Sequence, residues 1–137
     1  MLIPKKVKHR KWQRGRSKKR IVETRGLKVS YGSVGLKAMS PAWMDGKQLE
    51  SARKTITNFL KREGKVWIRV FPYKPITNKP AETTLGGGKG EVDKYVVIIK
   101  PGRVLFEVDG VSKETANKAL KLAGYKLPVR TKVVYKD

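Results

Sequence analysis

Along residues 65–71 the chain alternates strictly. Val66, Ile68 and Val70 fall on one side, and Trp67, Arg69 and Phe71 on the other. Period two predicts a strand, and bulky residues on both sides predict one with two partly covered faces. Residues 94–100 are a near-continuous apolar run, consistent with a central strand. Pro101-Gly102 predicts a turn and residues 103–108 a further strand. The short gap between these strands predicts that they are antiparallel neighbours. Residues 27–39 carry Val29, Tyr31, Val34 and Leu36, interrupted by Gly32 and Gly35. A pair of short strands, or one bulged strand, is expected there. A last strand is expected over residues 129–135, after Pro128.

The period changes after Met44. Asp45 is a good N-cap, and Gln48 three residues on completes a capping-box pattern. Leu49, Ala52, Ile56, Phe59 and Leu60 follow at helical spacing, with Gly64 as a natural stop. Ser112 starts a second helix, with Ala116, Ala119, Leu120 and Ala123 inward and Gly124 at its end. Residues 40–44 read as a connector. The order predicts an α+β domain, a mixed or antiparallel sheet with two helices packed on it.

Charge changes the picture from a plain fold to a fold with a partner. The chain has 137 residues, 33 Lys or Arg and 11 Asp or Glu, for a formal net charge of +22. Small domains usually carry a net charge of magnitude about 2–8. Like charges in a compact shape repel, and a polyanion relieves that repulsion. Residues 1–25 hold eleven cations and one acid, Glu23, so they form a basic N-terminal arm ahead of one domain over residues 26–137. The arm has no apolar period and is expected to order on a partner. Its Lys5, Lys6, Lys8, His9, Arg10, Lys11, Arg14, Arg16, Lys18, Lys19 and Arg20 suit phosphate contact, and Trp12 suits stacking on an unpaired base. The plain alternative is a solvated arm. On the first helix, Arg53, Lys54 and Arg62 are candidate phosphate contacts, since Glu50 and Glu63 are too few to balance the cations there.

Residues 72–93 are expected to form a long protruding loop, rich in glycine at Gly86-Gly87-Gly88-Lys89-Gly90. Loops this long are usually functional or disordered. Neither phosphate-binding glycine spacing fits. Thr83 stands where a P-loop needs its first glycine, and Gly90 where it needs Ser or Thr. Glu91 occupies the third glycine position of a dinucleotide motif. The side-chain-free tip, with Lys79 and Lys89, instead suits close approach to nucleic-acid phosphates.

Enzymatic chemistry finds little support. Cysteine is absent from the sequence, which removes thiolate zinc sites and leans toward a reducing compartment. His9, the single histidine, lies in the arm, and the acid pairs Glu91/Asp93 and Glu107/Asp109 have no partner for acid–base or metal work. No cofactor and no small-molecule substrate is expected. The longest apolar run, residues 95–99, falls far short of the ~20 residues of a membrane span, so no membrane partner is expected.

Several segments together resemble the large ribosomal subunit protein sixteen family. They are Met1-Leu2-Ile3-Pro4-Lys5, residues 8–16, Tyr31-Gly32-Ser33-Val34-Gly35-Leu36 and Pro41-Ala42-Trp43. More specific are residues 64–72, Lys74-Pro75-Ile76-Thr77, Gly88-Lys89-Gly90, Lys100-Pro101-Gly102-Arg103 and residues 126–131. The resemblance runs nearly end to end. It implies a structural, non-enzymatic protein of the large subunit, bound to its major ribosomal RNA and to neighbouring ribosomal proteins. It places the ribosome in the cytoplasm, with a bacterial ribosome fitting better than a plastid one. It also implies that the loop, through Lys79, Thr84, Gly86, Gly87, Gly88 and Lys89, approaches A-site tRNA and secondarily P-site tRNA near the peptidyl-transferase region. Three departures stand out. Tyr73 replaces the family's common Asp, Thr84 replaces an Arg that some bacteria hydroxylate, and Gly87 replaces a common Lys. A DNA-architectural protein is the alternative that shares the charge.

Overall fold

The computed structural model describes residues 2–6, 8–9, 11, 22–78 and 90–137. Among them the order is β1 (Val34–Ala38), β2 (Ala42–Asp45), α1 (Gly46–Leu60), β3 (Lys65–Ile68), β4 (Lys74–Asn78), β5 (Glu91–Ile99), β6 (Val104–Asp109), α2 (Lys113–Gly124) and β7 (Thr131–Tyr135). The α+β class is as expected, but the strands form two antiparallel sheets. One has the order β3-β6-β1-β7 and the other β2-β5-β4.

The local signals behave as their chemistry dictates. The Asp45 carboxylate accepts from the Gln48 N–H at 2.9 Å, and the Gln48 side chain accepts from the Asp45 N–H at 3.1 Å. Two donors left over at the helix start are thereby satisfied. Leu49, Ala52, Ile56 and Leu60 are buried, whereas Phe59 is exposed. At 100° per residue Phe59 lies roughly 80° from the centre of the stripe, so its spacing is helical but its direction is not inward. Ser112 caps α2 by accepting from the Thr115 N–H, and its four expected inward residues are all buried.

Four expectations are corrected. The first helix ends at Leu60, well before Gly64, because Lys61 and Arg62 take left-handed conformations at φ 53° and 66°. Gly64 serves another purpose. Its φ is +72°, and a Cβ there would lie 2.3 Å from the Asp109 carbonyl oxygen, so it lets the start of β3 meet the end of β6. Residues 42–45 are strand, not connector, paired with β5 from Ala42↔Ile99 to Asp45↔Val96. The hairpin expected between β5 and β6 does not form. Lys100 still accepts from the Arg103 N–H across Pro101-Gly102. However, β5 is flanked by β2 and β4, and β6 by β1 and β3, so neither has an edge left to offer. Finally, residues 74–78 and 91–93 of the expected loop are strand. Pro75 is tolerated in β4 because that strand is an edge.

A common core joins the layers. Val34, Leu36, Phe106 and Val108 of the larger sheet cluster with Leu49, Ile56 and Leu120 of the helices and with Met44, Val97 and Ile99 of the smaller sheet. Of the two expected forms, a strand pair or one bulged strand, the single strand β1 is the second. It carries an irregularity between Leu36 and Lys37 against β6. Residues 27–33 before it are not strand, and they fold over the sheet's second face.

Candidate nucleic-acid interface

Strand register places Gly35, Trp67 and Glu107 side by side, with Gly35↔Glu107 and Trp67↔Glu107 as direct partners. Val34, Leu36, Phe106 and Val108 point the other way, toward the helices. Glu107 is therefore a carboxylate on the sheet's outer face, yet it is fully buried. The segment ahead of β1 covers it. The N–H groups of Ser30, Tyr31 and Gly32 all donate to Oε1, at 2.9, 2.7 and 2.9 Å. Arg69 donates to Oε2 and, at 3.3 Å, to the Lys28 carbonyl. A Cβ at residue 32 would lie 2.6 Å from the Val108 carbonyl oxygen, so glycine lets the loop come this close. Three successive N–H groups and one guanidinium supply what burial takes from the carboxylate.

This anchor sets an exposed aromatic surface. Tyr31 is 61% exposed and stacks on Trp67, with centroids 6.2 Å apart and planes at 23°. The Arg69 guanidinium lies 5.0 Å from the Tyr31 ring centre. On the smaller sheet the buried Lys74 places Nζ 4.3 Å from the centre of the Trp43 ring. Neither arrangement was foreseen from the sequence, although a lone acid inside the apolar run Val104-Leu105-Phe106-Glu107-Val108 was a usable signal.

Of the expected cations, Lys5, Lys6, Lys8 and His9 are exposed and Lys11 is half-buried. Arg53 and Arg62 line one depression at the C-terminal end of α1, while Lys54 is exposed on the same helix. Arg53 is also tied to Glu50, Nη2 to Oε2 at 2.9 Å. That hydrogen bond holds the Glu50 carboxyl below its usual range. Arg10, Trp12, Arg14, Arg16, Lys18, Lys19, Arg20, Lys79, Thr84, Gly86, Gly87, Gly88 and Lys89 lie outside the described residues. A second, larger cleft of about 780 Å³ opens where the two sheets meet. Arg25, Arg69, Lys100 and Arg103 line it together with Phe71 and Tyr73. Among the described residues no group of three His, Asp or Glu could hold a metal ion, and no helix is long and apolar enough to cross a membrane.

The family model described as ribosomal protein L16p/L10e matches residues 4–134. The chain belongs to this family. It is thus a large-subunit ribosomal protein, structural rather than enzymatic, with ribosomal RNA and ribosomal proteins as its partners and the ribosome as its place. Membership gives the basic surface its meaning. Among the described residues, Arg25, Arg69, Lys100 and Arg103 gather at the seam between the sheets, while the apolar stripes fill the core.

The Glu107 anchor predicts a pH signature. Burial pushes its carboxyl up, but hydrogen bonds from Gly32, Arg69 and Tyr31, with the Arg69 charge, outweigh burial and hold it below the usual carboxylate range. The folded chain therefore binds this proton more weakly than the unfolded chain. The resulting stability is complete above the ordinary carboxylate pKa and drains away as pH falls through the lowered one. Glu107→Gln removes the carboxylate charge and leaves the Arg69 charge without its counter-ion, which should cost about 3–5 kcal/mol at neutral pH. Urea melts of both proteins across the acid range check this. The difference between them should shrink as pH falls, and a difference independent of pH would contradict the assignment.

Proposed function

We propose that this L16p/L10e protein binds the major ribosomal RNA of the large subunit through its arm and the cationic face of α1, and that its glycine-rich tip approaches tRNA. The family match over residues 4–134 carries the reading. The charge supports it, since +22 on 137 residues calls for a polyanion. The exposure of Lys5, Lys6, Lys8 and Lys54 leaves cations available to phosphates. In this reading residues 1–25 act as a separate RNA-binding arm, and the particle is a bacterial cytoplasmic ribosome.

The tRNA contact rests on position. The segment between Asn78 and Glu91 connects two paired strands, β4 and β5, at the edge of the smaller sheet. Its two ends, Asn78 and Glu91, are register partners and so stand side by side at that edge. Its glycines leave backbone N–H groups open to phosphates. Thr84 and Gly87 make the tip less basic than is common in the family, so Lys79 and Lys89 carry its charge.

Sucrose-gradient fractionation tests the placement: the protein should sediment with 50S and 70S particles, and its absence from both would refute it. Replacing Lys5, Lys6, Arg10 and Arg14 by Ala should flatten the slope of log K against log salt by roughly 0.7–0.9 per lost contact, as counterion release requires. An unchanged slope would show that the arm does not track phosphates. Deleting residues 86–89 should leave the isolated fold intact and weaken tRNA binding by ribosomes that carry the variant. Equal tRNA binding by mutant and wild-type ribosomes would remove the loop from the site.

A further inference from the structure

The cleft between the sheets has a composition that core packing does not explain. Phe71 and Tyr73 are 44% and 45% exposed at its wall, on the short stretch that leads from β3 to β4. Large aromatic rings left in solvent beside cations are poor solubility devices and good stacking surfaces. Among the described residues, four cations line the cleft against one carboxylate, Glu23. Arg103 is only loosely paired within it. Nη1 lies 3.8 Å from Glu23, Nη2 donates to the Arg69 carbonyl at 3.4 Å, and the buried Nε has no hydrogen-bond partner. Even after Glu107 is counted against Arg69, the wall keeps an excess of two positive charges.

Chain path adds a second reason. Leu2 and Glu23 both line the cleft. The segment between them holds ten of the arm's eleven cations, so the most basic part of the chain leaves from this site and returns to it. A cleft of about 780 Å³ lies within the roughly 300–1,000 Å³ that bound small groups occupy.

We propose that this cleft receives an unpaired stretch of RNA, with one base stacked on Phe71 and the flanking phosphates held at Arg25 and Lys100. The inference rests on the RNA-binding reading above and adds to it a single-strand subsite. Stacking on an aromatic face tolerates any base, because every base has a π-face. The subsite therefore selects unpaired over paired RNA rather than one sequence over another. Duplex RNA keeps its bases stacked internally and has none to offer Phe71.

Full-length protein titrated with two probes tests the subsite: a single-stranded RNA octamer carrying 2-aminopurine, and a blunt RNA duplex. Phe71→Leu keeps an apolar side chain at a half-exposed position, so the core is untouched, and Phe71→Tyr keeps the ring. Phe71→Leu should weaken octamer binding about tenfold, the scale of one lost base stack. It should also abolish the quenching of 2-aminopurine and leave duplex binding unchanged. Phe71→Tyr should match wild type with both probes. A Phe71→Leu titration indistinguishable from wild type overturns the subsite alone, as does an equal loss for octamer and duplex. Wild-type protein that binds neither probe at moderate ionic strength, or that prefers duplex DNA to both, overturns the RNA-binding reading together with the subsite.

Discussion

The buried carboxylate of Glu107 is the constraint on which the outer face of the larger sheet depends. An acid enclosed this fully is tolerated only if hydrogen bonds and an opposite charge replace its lost water. Ser30, Tyr31, Gly32 and Arg69 do so together. One side chain of β6 thereby fixes the loop before β1 and the residue after β3. Tyr31 reaches Trp67 and Arg69 as a consequence. An apolar residue at position 107 would leave three N–H groups without their acceptor and Arg69 without its counter-charge.

The same economy shapes the basic surface. Each helix gives one stripe to the core, and each sheet gives one face to the shared cluster. What remains is free to be cationic, and the self-repulsion this creates is tolerable in a particle built on RNA. The two-sheet arrangement matters here. A single continuous sheet would have no seam, and it is at the seam that Phe71, Tyr73, Arg25 and Lys100 come together. Membership of the L16p/L10e family and the physical chemistry of the surface point to the same partner by independent routes.

Local chemistry was legible without coordinates. Asp45 and Gln48 announce a capping box within four residues, and Ser112 with its alanine stripe announces α2. The alternation of residues 65–71 announces β3, since side-chain direction in a strand depends on nearest neighbours alone, but the strand itself ends at Ile68. Phe59 shows the limit of spacing as a guide, because the stripe's direction is set by what the helix packs against. Lys61 and Arg62 show another, since left-handed turns at non-glycine residues carry no sequence mark.

From the chain itself came the α+β class, both helices and the polyanionic partner, which rest on composition or on contacts a few residues long, and the family resemblance, which rests on motifs spread along the chain. Tertiary structure alone decided that β5 and β6 part into different sheets, that Ala42–Asp45 pairs as a strand, and that Glu107 is enclosed by the segment before β1. Each of these depends on which edge or face is already occupied by a segment distant in sequence. Strand edges and burial are properties of the assembled whole, and no window of neighbouring residues contains them.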